Sequence, residues 1–238
     1  LDADDLLSPN KVEEQVILLQ SNPGYLAVSR ALYFLDGENP DSGLEERSGV
    51  SDTDDPVQWL TELLGPDGPF GMVPYGAWLT PRCIAERAGP WDDCMRSPDD
   101  DGEYFARVVL ASRGIRSSKE GRYYYRRLVR GGSYSSTRTE ELFRGRLHSL
   151  NCKAKWLLAR TDHPRAYRAL ANRYLDLAFV AYPSFPELTD EAIQKAQEMG
   201  STEYIPRFGT WKGELLRHLF GWKAAKRLNA AFHRQTTR

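Results

Sequence analysis

Two runs of carboxylates have the residue types and spacing to do chemistry: Asp2, Asp4 and Asp5 in LDADD, and Asp99, Asp100 and Asp101 in PDDDGEYFAR. Carboxylates that converge at a turn suit a hard divalent cation, which takes oxygen ligands and completes its shell with water or substrate phosphate. A calcium loop of the EF-hand type fails, because Leu6 and Leu7 stand where a ligand and a glycine are needed. Three adjacent aspartates ahead of a helix repel one another unless a cation, the helix terminus or a substrate uses them. One of them can serve as a general base. The plainer alternative is one capping aspartate with two solvated neighbours, and Glu103 paired with Arg107 at i,i+4 spacing.

The elements that must position these acids are legible. Ser8-Pro9 opens a helix over residues 10–20, and the mostly apolar run 25–35 is a buried strand. A polar surface loop covers 36–55, Asp55-Pro56 starts a short helix ending at Gly65, and 72–79 is apolar. Thr80-Pro81 opens a helix that stops at Gly89. Asp99 or Asp100 caps a helix carrying Tyr104, Phe105, Val108 and Val109, and Gly114 ends it. Residues 115–130 read as a strand with a turn at Glu120-Gly121. Beyond Ser136 helical patterns dominate, over about 139–160, 164–182, 189–199 and 211–232. A boundary near 135 thus separates an α/β part, 1–135, from a helical extension, 136–238.

Bulk properties narrow the function. The net charge is -1, so the chain offers no large field for nucleic acid. Three scattered cysteines (Cys83, Cys94, Cys152) make neither a disulfide framework nor a zinc site, and fit a reducing compartment. No apolar run is long enough to span a bilayer. The four histidines all fall in the helical part without metal-ligand spacing.

In order, LDADDLLSPNKVEEQ, GAWLTPRCIAERAGPWDD and DDGEYFARVVLASRGI resemble the later half of family 2 glycosyltransferases of the GT-A fold. The resemblance covers roughly residues 1–130. It implies a Rossmann-like nucleotide-sugar transferase domain entered at its DxD-type motif, with the base-binding half lying upstream and a sheet edge exposed where that half would pack. By the same resemblance Asp2 faces the nucleotide or donor sugar, and Asp4 ligates Mn²⁺ or Mg²⁺. Asp5 is a weaker candidate for either task. Asp101 is the general base of an inverting transfer and Asp100 binds the acceptor, with Asp99–Asp100 as the other register. Asp100 is an aspartate where the family carries a glutamate.

Trp78 and Trp91 flank the helix opened by Thr80 and serve either as an acceptor platform or as core. RYYYRR at 122–127 is a strand with a basic edge or lies near the diphosphate. The expected activity is transfer from a nucleotide-diphosphate sugar to a saccharide or lipid-linked saccharide, in glycan or cell-surface polysaccharide synthesis. The expected location is cytoplasmic, at the inner face of the membrane if the basic amphipathic helix 211–232 makes peripheral contact. The alternatives are a non-catalytic or degenerate module acting through its helical tail, and an enzyme of the same fold that hydrolyses or activates nucleotide sugars.

Overall fold

The computed structural model describes residues 1–42, 44–45, 51–65, 73–93, 96–127, 138–200 and 202–236, without the side chains of 44–45 and 229–236. In chain order its elements are β1 (Leu6–Leu7), α1 (Lys11–Ser21), β2 (Leu26–Leu35), β3 (Leu44–Glu45), α2 (Pro56–Leu64), β4 (Trp78–Leu79), α3 (Arg82–Ala88), α4 (Asp100–Ala111) and β5 (Ile115–Arg127). Four longer helices follow: α5 (Glu140–Leu158), α6 (Pro164–Ala181), α7 (Pro186–Glu198) and α8 (Trp211–Thr236). The fold is mixed α/β, with one mixed sheet.

The sheet runs β1–β5–β2–β3, with β4 also paired to β2. β2 and β5 are parallel, and among the described residues every other pairing is antiparallel. LAVSRALYFL is buried at all but two of its positions, Arg30 and Leu35. It is a central strand covered on both faces, which explains an almost continuous apolar run where a half-exposed strand would alternate. A parallel neighbour requires a long crossover. Here the crossover carries α2, α3 and α4, and so delivers the second acidic run to the sheet.

Four expectations are corrected. Ser8 does not cap α1; Asn10 is the capping residue and makes no side-chain bond, while Ser8 Oγ accepts from Arg122 N at 2.9 Å. Ser8 sits beside β5, whose free amide competes for the same oxygen. Thr80 does not cap α3, whose N-cap residue is Pro81. Asp99 stands at the N-cap of α4 without a side-chain capping bond, because its carboxylate is drawn to α5. Glu120-Gly121 is not a reversing turn. β5 continues through it as a bulge, with Val28 opposite Ser117 and Arg30 opposite Arg122. The Glu14 carboxylate accepts from Lys119, Glu120 and Gly121 amides, which holds the extra residues out of the ladder.

One hydrophobic core runs through both parts of the chain, joining Val28, Trp59 and Tyr123 to Leu150, Leu170 and Leu188. The expected boundary near 135 lies outside the described residues. α8 is broken at Gly221, with φ 77° and ψ 162°, a backbone conformation that only glycine adopts easily. Past the break, Trp222 packs against Phe179 and Tyr182 of the α6 end. Before it, Trp211, Leu215, Leu219 and Phe220 are exposed. Among the described residues no helix is long and apolar enough to cross a membrane.

Candidate functional site

The opening acids form a tight turn. Asp5 N donates to Asp2 O at 3.3 Å, and carboxylate oxygens of Asp2, Asp4 and Asp5 all lie within 4.8 Å of one another. β5 clamps this turn. Tyr123 Oη donates to Asp5 Oδ2, Arg126 N donates to Asp5 Oδ1 at 2.9 Å, and Arg126 Nε reaches Asp4 O at 2.7 Å. Asp5 is therefore a buried anchor with both oxygens used, and burial raises its pKa. Asp2 and Asp4 are exposed. Two or three hard oxygen donors of this kind suit Mg²⁺ or Mn²⁺, although exposed acids also cluster without an ion. RYYYRR lies in strand β5, and its Tyr123 and Arg126 hold the acidic turn itself.

The second acidic run divides its labour. Asp99 is taken up by α5: Ser149 Oγ donates to its Oδ2 at 2.8 Å and Lys153 Nζ at 2.6 Å. Glu103 is taken up by structure as well. It pairs with Arg107 at 2.8 Å and accepts from Trp156 Nε1 at 3.1 Å, in a buried position. The i,i+4 pair expected from the sequence is thus present. Asp100 accepts from Asp101 N at 2.9 Å, and Asp101 from Gly102 N at 2.8 Å.

Asp101 is half-buried, and its pKa is raised to about 6, chiefly by burial and then by the negative charge of Asp99. Lys153 pulls it the other way. A carboxylate poised near neutrality is suited to accept a proton. A Cβ at Gly102, in the first turn of α4, would lie 2.7 Å from Lys153 Nζ and closer still to Asp99 Oδ1, so the Asp99–Lys153 pair would have to shift.

Tyr75 links the two acidic runs. Burial, and after it the neighbouring carboxylates of Asp2, Asp5 and Asp101, raise the pKa of its hydroxyl. It sits in the short 3-10 turn Tyr75–Ala77, which α1 holds from below: Lys11 Nζ donates to Gly76 O at 2.9 Å and Gln15 Nε2 to Ala77 O at 2.9 Å. Gly76 lets the turn pass the Tyr123 ring, which leaves no room for a Cβ. Burial lowers the Lys11 pKa to about 8.

The aromatic candidates separate. Trp78 is buried and stacks on Phe105 at 5.5 Å, while Trp91 is partly exposed and stacks on Tyr104 at 4.5 Å. Beside Asp101 a cavity of about 590 Å³ opens between α2, α4, α5 and α6, with Trp59, Trp78 and Phe105 in its wall.

Sequence reasoning missed Tyr75, Ser149 and Lys153. Lys153 carried a signal: it lies on the same helical stripe as Leu147, Leu150, Ala154 and Leu157, where a cation needs a buried partner. Comparison with protein-family models, curated proteins and solved structures finds no match to this chain.

Proposed function

We propose that the chain carries the catalytic end of an inverting, metal-dependent glycosyltransferase. It moves a sugar from a nucleotide-diphosphate donor to a hydroxyl acceptor in glycan or cell-surface polysaccharide synthesis. The observation that supports this reading is Tyr75, which is buried close enough to Asp2, Asp5 and Asp101 for all three charges to act on its hydroxyl. This supports reading the two acidic runs as parts of one site.

Asp101 accepts the proton of the acceptor hydroxyl as that oxygen attacks the anomeric carbon, opposite the departing diphosphate. Asp100 and Trp91 orient the acceptor, the first by hydrogen bonding and the second by its aromatic face. Asp4, with Asp2 beside it, would hold Mn²⁺ or Mg²⁺, and Asp2 would face the donor. A cation held by these residues would offset the charge that develops on the leaving diphosphate. The exposed face of α8 before Gly221, with Lys212 beside Trp211, is the surface that would touch an anionic membrane.

The test is turnover of a panel of nucleotide sugars by the wild type and by Asp101→Asn. Loss of turnover by about a hundredfold or more, with folding and nucleotide binding intact, supports the base. Unchanged turnover removes Asp101 from that role. A protein that turns over no nucleotide sugar at all would instead be a binding module.

A further inference from the structure

The 590 Å³ cavity beside Asp101 is not explained by donor or metal. Its volume is that of a small-molecule site. The α/β part supplies Trp59, Trp78 and Phe105, while Leu177 and Val180 come from α6. Val180 is exposed, so the cavity has an edge open to solvent.

The charges around this cavity are already matched. Asp99 is paired with Lys153 at 2.6 Å. Arg173 donates to Leu64 O at 2.9 Å and lies 3.7 Å from Asp176. Arg146 lies over the Phe143 ring. Asp101 is the exception, with no donor among the described residues except Gly102 N. A strongly anionic ligand would find no uncommitted cation here. A bare sugar would lose water from several hydroxyls against indole and aliphatic walls whose charged neighbours are largely committed to one another. The walls suit an apolar body, and the single uncommitted acid at their edge suits one hydroxyl.

We propose that this cavity seats the apolar portion of an amphiphilic acceptor, an alkyl- or aryl-substituted glycoside, and so presents its sugar hydroxyl to Asp101. The acceptor role rests on the transfer reading above; binding of the amphiphile does not. In this arrangement the helical extension acts as a specificity wall, because Leu177 and Val180 set the far side of the site.

Isothermal titration with n-octyl β-D-glucopyranoside, below its micelle concentration, against methyl β-D-glucopyranoside tests the inference. The octyl glycoside should bind saturably, with a negative heat-capacity change, and about tenfold or more tighter than the methyl glycoside. Val180→Trp narrows the mouth from an exposed position and should weaken octyl binding by about tenfold while the thermal midpoint holds. Leu177→Trp provides a second blocking variant.

Equal affinity for the two glycosides, or octyl binding unchanged in both blocking variants, would overturn the proposal. Octyl binding that is lost on blocking, in a protein that turns over no nucleotide sugar, would support the amphiphile site and remove the transfer reading. Turnover indifferent to the alkyl chain would do the reverse.

Discussion

Lys153 Nζ lies 2.6 Å from Asp99 Oδ2, which ties the middle of α5 to the residue just ahead of α4. The pair does more than fasten a helix. Asp99 raises the pKa of Asp101 and Lys153 lowers it, so the helical extension helps to set the acid–base balance of the candidate site.

The pH dependence of transfer should reflect this balance. Asp101 works only when ionised, so turnover should rise with pH through about 6 and then level off. Lys153→Met removes the charge that lowers this pKa, and the midpoint should move upward. Turnover at pH 6 should then fall about threefold or more relative to the plateau. An unmoved midpoint would show that Lys153 has only a packing role.

Stability should carry the opposite signature. Asp101 has its folded pKa raised from 3.8 to about 6, so the folded chain holds a proton that the unfolded chain has lost within that window. Above it, the folded state carries a half-buried charge at a cost. Asp101→Asn should therefore stabilise the protein by about 1–2 kcal/mol at pH 8, with the gain fading below the ordinary carboxylate range. Chemical denaturation at the two pH values measures it.

The clamp on the opening acids is open to a single-atom test. Tyr123→Phe takes one of two donors from the buried Asp5 and leaves the ring in place. The expected loss is about 1–3 kcal/mol near neutral pH. It should be smaller in acid, where Asp5 is neutral and needs no donor. An equal loss at both pH values would mean that the hydroxyl matters for packing alone.

The exposed face of α8 leads to a flotation experiment. Vesicles rich in anionic lipid should carry the protein upward at low salt, and neutral vesicles should not. Leu215→Glu with Leu219→Glu should abolish the effect without unfolding, since both residues are exposed. Flotation that survives both substitutions would place the contact elsewhere.

Much of this arrangement is visible in the sequence, for identifiable reasons. β2 is recognisable because a strand buried on both faces must be apolar almost throughout. α2 is recognisable because Asp55 caps it through Gln58 N at 2.8 Å, a bond between near neighbours. Tyr75 is not recognisable. Its turn is fixed by Lys11 and Gln15, more than sixty positions away in the chain, and the acids that act on its hydroxyl are remote as well. Ser8 and Asp99 mislead because each has a normal capping residue type but meets a stronger partner from a distant element. The Glu120-Gly121 bulge has the composition of a turn, and only the carboxylate of Glu14 on α1 decides against it.

The most direct test of the central claim is thermal unfolding of the full-length protein with a panel of nucleoside diphosphates, with and without Mn²⁺. Ligand at a hundred times its dissociation constant adds ~2.7 kcal/mol, which moves the midpoint by about 5–10 °C in a protein of this size. The expected result is such a shift with one nucleotide, only when Mn²⁺ is present, and lost in Asp4→Ala. No shift with any nucleotide, or a shift that Asp4→Ala leaves intact, would contradict a metal-assisted donor site at the opening carboxylates.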